Sequence, residues 1–242
     1  MLTVSPVRGA GRFAFRVVGV GRLTLAGIGV IALISRFLYG MGFRSFASEN
    51  FLAYLTIQCN IAAVVVTSIA GVVALRGRPD TAVLSALRAA VLSFQLVAGV
   101  VFAALAISAP AQGYRLEVPP SDQVLHFWLP SLALLDWLLS PGRHPVRWRT
   151  LLLVVGYPVG WGLLTIARGA AVGWYPYFFL DPAQVSAGEF VLYTAVVLAL
   201  FVGVGAGLIG ISRARPPAGL APWTAISGRL RRMGPGRSGR GR

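Results

Sequence analysis

Apolar stretches alternate with short polar or arginine-bearing breaks along this chain. Six runs stand out: Leu23–Phe43, Phe51–Leu75, Leu87–Ala109, Val124–Leu139, Leu151–Ala171 and Phe190–Ile211. A helix needs about 20 apolar residues to cross a hydrocarbon core of roughly 30 Å. Five runs meet that length. The fourth is shorter, and the pattern predicts that it extends back to Ser121, which with Asp122 is placed to cap it. The periodicity predicts an all-α polytopic bundle of six transmembrane helices. Its expected organisation is a basic N-terminal segment (1–22), a membrane domain (23–212) and a tail rich in Arg, Pro and Gly (213–242). The tail has no apolar period, and its composition predicts disorder. The first apolar run continues past Ala32 with no A-x-A site, so it reads as a retained helix rather than a cleaved leader.

Composition strengthens this reading. The chain has 242 residues, 56% of them hydrophobic and 12% charged, with mean hydropathy +0.74. A soluble domain carries about twice that charge fraction. The net charge is +15, with no lysine among the 22 basic residues. An all-arginine basic set points to a GC-rich bacterial genome. All but four of those arginines fall in the two termini and in the connections after the second and fourth runs. Arg36, Arg44, Arg115 and Arg168 fall on the other side. Positive residues mark the cytoplasmic side, so both termini are expected there, in a bacterial plasma membrane. The arginines flank apolar runs, so the partners expected are membrane lipids and not nucleic acid. Oligomeric state is not legible.

Candidate chemistry is sparse. The lone cysteine, Cys59, excludes an intramolecular disulfide and a CxxC site. The two histidines, His126 and His144, fall in opposite leaflets of this topology, which disfavours a bis-histidine haem; no metal or cofactor is expected. The standard hydrolase motifs G-x-S-x-G, S-x-x-K and H-E-x-x-H are absent.

Topology nonetheless gathers polar residues at one depth. Thr56 lies one to two turns inside the second run and His126 a similar distance inside the fourth, both entering from outside. Arg36, Arg168 and Asp181 belong to the same outer layer, with Asn60 one turn below Thr56 on the same face. Each has an ordinary alternative. A membrane threonine bonds its own i−4 carbonyl. End arginines snorkel. Asn60 and Gln58 hold helices together. Trp174, Tyr175 and Tyr177 suit an interfacial aromatic belt. Histidine titrates near neutrality and is the commonest general base. Asp136 lies about 15 Å along the helix from His126, too far to orient it, and is expected to anchor the cytoplasmic end by pairing with Arg143 or Arg147. Gly156/Gly160 and Gly203/Gly207 have the small-xxx-small spacing of close helix contacts.

Three segments together, FLAYLTIQCN (Phe51–Asn60), LHFWLPSLALLDWLL (Leu125–Leu139) and GWYPYFFLDP (Gly173–Pro182), resemble the bacterial Pr-six-Pr integral membrane proteins. Those are in turn similar, distantly, to the animal androgen-induced and androgen-dependent TFPI-regulating membrane proteins. The resemblance spans about Leu23 to Ile211. It implies an intramembrane threonine hydrolase of fatty-acid esters. Thr56, after Tyr54 and Leu55, matches the nucleophile of the animal relatives. His126, ahead of Leu129–Pro130 and Asp136, matches their histidine, with a one-residue departure between histidine and proline. In that chemistry Thr56 attacks the ester carbonyl and His126 takes its proton. Arg36 or Arg168 is placed to hold a substrate carboxylate, and Asn60 is the candidate oxyanion donor. The competing expectation is a membrane protein without catalysis: a lipid-binding module, a solute pathway or a partner scaffold.

Overall fold

The computed structural model describes residues 10–44, 46–113, 117–139 and 142–213. The expected disordered tail lies outside the described residues from 214 onward, as does Arg115. Among the described residues every regular element is helical: α1 (Ala10–Met41), α2 (Leu55–Leu75), α3 (Ala82–Ser108), α4 (Pro120–Gln123), α5 (Leu129–Leu139), α6 (Thr150–Val172) and α7 (Ala187–Ile211), with short 3-10 turns between them. Five helices are long and apolar enough to cross a membrane: α1 from Phe13, α2, α3, α6 and α7. Large apolar side chains face outward on them, among them Ile107, Leu152, Leu163 and Leu164, each more than 60% exposed. That surface suits a lipid solvent and marks a multi-pass membrane protein.

Local chemistry sets several ends. Thr81 caps α3 by accepting from the Leu84 N–H at 3.1 Å. Ser186 and Glu189 form a reciprocal capping box at the start of α7. Two boundaries depart from the apolar runs. α1 begins at Ala10 and α3 at Ala82, so Arg22 and Arg88 lie inside helices rather than in flanking segments. Helix formation requires backbone pairing and not apolarity, so a helix outruns its greasy stretch when a partner awaits the charge.

The fourth run is not one α-helix. α4 passes through a π turn, Val124–Trp128, into α5. The cause is legible in Pro130. Proline has no N–H to give the residue four back, and its ring clashes with that residue's carbonyl. Four back from Pro130 is His126. The ladder steps out by one residue, and the Leu129 N–H reaches the Val124 carbonyl instead. α4 starts on Pro120 with Pro119, which has no side-chain acceptor, at its N-cap; Ser121 and Asp122, expected to cap it, lie inside its first turn, and the Asp122 carboxylate pairs with Arg36.

α1 crosses α2 closely. A Cβ on Gly19 would sit 2.9 Å from the Gly71 carbonyl, and one on Gly71 would sit 3.2 Å from the Gly19 carbonyl. The spacing pairs Gly156/Gly160 and Gly203/Gly207 are not such contacts, since a Cβ at any of the four meets nothing within 4 Å. The main core joins α2, α3, α6 and α7 around Ala63, Ala70, Phe94, Val97, Val154 and Phe201.

Candidate functional site

Two groups of polar residues lie toward the two ends of the α4–α5 rod. At the Asp136 end, two arginines and two aspartates alternate in a closed ring. Arg22 of α1 bonds Asp80 at 3.1 Å and Asp136 at 3.0 Å. Arg88 of α3 bonds the same two carboxylates. Asp136 is therefore a structural anchor held by Arg22 and Arg88, not by Arg143 or Arg147. Arg143 instead bonds the Trp137 and Ile211 carbonyls and lies over the Trp137 ring at 5.0 Å. Buried charges survive only when paired, and here two of each sign cancel.

At the other end lies a cavity of about 540 Å³, within the usual range for a small-molecule site. Its walls are mostly apolar, from α2, α3, α6, α7 and the α6–α7 loop, and include Phe94, Trp161 and Phe179. Its polar lining includes Thr56, Thr194, Arg36, Asp122, His126, Tyr54 and Tyr177.

Thr56 sits in the first turn of α2, where backbone N–H groups have no helical acceptor. Its hydroxyl does not turn back onto its own helix. It lies 3.2 Å from the hydroxyl of Tyr177. Tyr177 is fixed by edge contacts with Tyr54 and Trp161 and by stacking on Phe179. Burial pushes its hydroxyl up to about 12, so it is a neutral phenol at physiological pH.

His126 occupies the π turn and is buried. Its Nδ1 lies 3.0 Å from the Asp122 carbonyl. A carbonyl only accepts, so Nδ1 carries the proton and Nε2 keeps a free lone pair. The imidazole stacks on Phe102 with centroids 3.9 Å apart. Gly99 of α3 allows this packing, because a Cβ there would sit 2.4 Å from the His126 carbonyl oxygen. Asp122 has a second role: its carboxylate binds Arg36 at 2.8 Å. Arg36 thereby holds the residue that holds His126.

Thr56 and His126 thus line one cavity, and no hydrogen bond joins them. Arg36 lines it as well, with its guanidinium shared with Asp122. Asn60 and Arg168 lie elsewhere. Asn60 donates to the Thr56 carbonyl and accepts from Gln95, both at 3.0 Å, tying α2 to α3. Arg168 donates to Asn50 at 2.6 Å and covers the Trp174 ring. Asp181 is engaged in its own loop with Ala183 and Gln184. Two participants are not legible in the sequence: Asp122 has the pattern of a helix cap and Tyr177 that of an interfacial aromatic, and nothing in the string separates either from those ordinary uses.

Among the described residues no group of three or more His, Cys, Asp or Glu is arranged to hold a metal ion. No protein-family model, no curated protein and no solved structure matches the chain.

Proposed function

We propose that this protein is a six-span membrane hydrolase of lipid esters, with Thr56 as nucleophile and His126 as general base. The α4–α5 rod supplies the sixth span, both termini are cytoplasmic, and the cavity opens in the outer half of a bacterial plasma membrane. The reading places the chain beside the Pr-six-Pr proteins. The observation that carries it is the shared cavity: a hydroxyl nucleophile, Thr56, and a histidine whose Nδ1 is held by the Asp122 carbonyl both line it. Apolar walls suit an acyl chain, and a hydroxyl and an imidazole nitrogen lining the same cavity are the groups acyl transfer uses. In the reaction the Thr56 proton passes to His126 Nε2 as the Oγ1–carbon bond forms. The ester carbon–oxygen bond then breaks, the leaving alcohol takes that proton from His126, and water hydrolyses the acyl-threonine to free acid and Thr56.

Labelling of the purified full chain by an alkyl fluorophosphonate tests the pair. The expected result is labelling of wild type, none for Thr56→Ala, and strong slowing for His126→Ala. Equal labelling of all three excludes the reading.

A second reading is a lipid-binding protein without covalent chemistry. What favours it is that Thr56 is bonded to Tyr177 rather than to His126. Under it, both variants retain full binding of a fatty-acid ester and wild type releases no product.

A further inference from the structure

The hydrolase reading lacks one component, a donor for the negative charge that develops on the ester oxygen. Such donors supply the largest single share of acyl-transfer catalysis in many enzymes. Asn60 is unsuited, because its amide is spent on the Thr56 carbonyl and on Gln95. We infer that the hydroxyl of Tyr177 is the oxyanion donor of this site. The inference rests on the hydrolase reading and adds a residue to it.

The geometry is direct. When Thr56 Oγ1 bonds to a carbonyl carbon, the carbonyl oxygen sits two bonds from Oγ1. The Tyr177 hydroxyl lies 3.2 Å from Oγ1, so a small rotation about its C–O bond aims its proton at that oxygen. The phenol also lies at the positive end of a helix, since its partner Thr56 is in the first turn of α2. The ring itself is braced by Tyr54, Trp161 and Phe179, so the donor costs little reorganisation. In the step, the Oγ1–carbon bond forms and the carbonyl π pair moves to its oxygen. The Thr56 proton goes to His126 Nε2, and Tyr177 donates a hydrogen bond without losing its proton. On collapse the carbon–oxygen bond to the leaving alcohol breaks, and that alkoxide takes the proton from His126.

The test uses the full chain in lipid nanodiscs with a p-nitrophenyl ester of a medium-chain fatty acid. Tyr177→Phe keeps the ring and deletes the hydroxyl. The expected result is a kcat about 10²- to 10³-fold lower with KM changed little. An alkyl trifluoromethyl ketone, which forms a tetrahedral adduct, loses affinity by a similar factor, while the non-hydrolysable ether analogue binds as before. A Tyr177→Phe protein with kcat unchanged or raised, beside an inactive Thr56→Ala, overturns the Tyr177 role alone. A wild type no faster than Thr56→Ala overturns the hydrolase reading and this role with it. Should Tyr177→Phe fail to fold, 3,5-difluorotyrosine at 177 keeps the hydroxyl and acidifies it. The alkaline limb of kcat then moves to lower pH; an unmoved limb overturns the role.

Discussion

The carbonyl of Asp122 accepts the Nδ1 proton of His126 at 3.0 Å, one turn along a helix that a proline has forced out of register. That single relationship settles which imidazole nitrogen is free. In soluble triads a carboxylate side chain orients the histidine. Here the same aspartate uses its backbone for the histidine and its side chain for Arg36.

Pro130 is the cause of the register change, so its removal has a defined outcome. Pro130→Ala restores an N–H four residues after His126 and lets the α ladder close. Stability rises, since proline in a helix interior costs up to about 3 kcal/mol. Ester turnover falls, because His126 rotates away from Thr56's cavity. Paired melting and turnover measurements check both signs; a variant that loses neither activity nor gains stability contradicts the role given to the π turn.

Gly99 is predicted to be intolerant for a steric reason. Gly99→Ala brings a Cβ to 2.4 Å from the His126 carbonyl oxygen, and overpacking of this kind costs about 1–3 kcal/mol. Gly156→Ala is the control, since nothing lies within 4 Å of its Cβ; it is neutral or slightly stabilising. Thermal melts of the two proteins side by side give the comparison.

The ion ring predicts a compensation. Arg88→Met leaves Arg22 as the one ion-pair partner of Asp80 and Asp136 among the described residues, at a cost of about 3–5 kcal/mol. Arg88→Met combined with Asp136→Leu leaves the neutral pair Arg22–Asp80. The double variant therefore melts above the single one. Equal melting temperatures for the two would show that the ring does not act as a charge-balanced unit.

Much of the helical pattern is legible in the sequence because the bilayer demands long apolar runs, and α2, α6 and α7 stay close to theirs. The inward turn of Arg22 and Arg88 is not legible. Both sit in the arginine-rich margins that orient membrane proteins, and composition does not distinguish a snorkelling arginine from one that meets Asp80. Thr56 and His126 can be nominated from depth alone, since helix rise converts position into height. Depth is silent on azimuth, so it also nominated Asn60 and Arg168, which the structure turns toward Gln95 and Asn50. Tyr177 is hidden for a different reason: a loop that folds over the bundle and a belt at the interface use the same aromatic residues.

The raised Tyr177 hydroxyl gives a pH prediction. Its ordinary value is 10.0 and burial lifts it to about 12. Between those pH values the unfolded chain loses this proton while the folded chain keeps it. Folding stability therefore declines as pH rises from about 10 to about 12. Tyr177→Phe removes this contribution, so its stability falls less steeply than that of wild type over the same interval. Denaturation at a series of alkaline pH values measures the difference in slope; parallel slopes contradict it.

The central claim is that Thr56 and His126 act together on a lipid ester. The most direct measurement is the rate of fatty-acid release from a defined ester by the purified full chain, for wild type, Thr56→Ala and His126→Ala, each verified as folded. The account predicts turnover by wild type, background for Thr56→Ala, and a fall of about 10²-fold or more for His126→Ala. Release at the wild-type rate by both variants would contradict it.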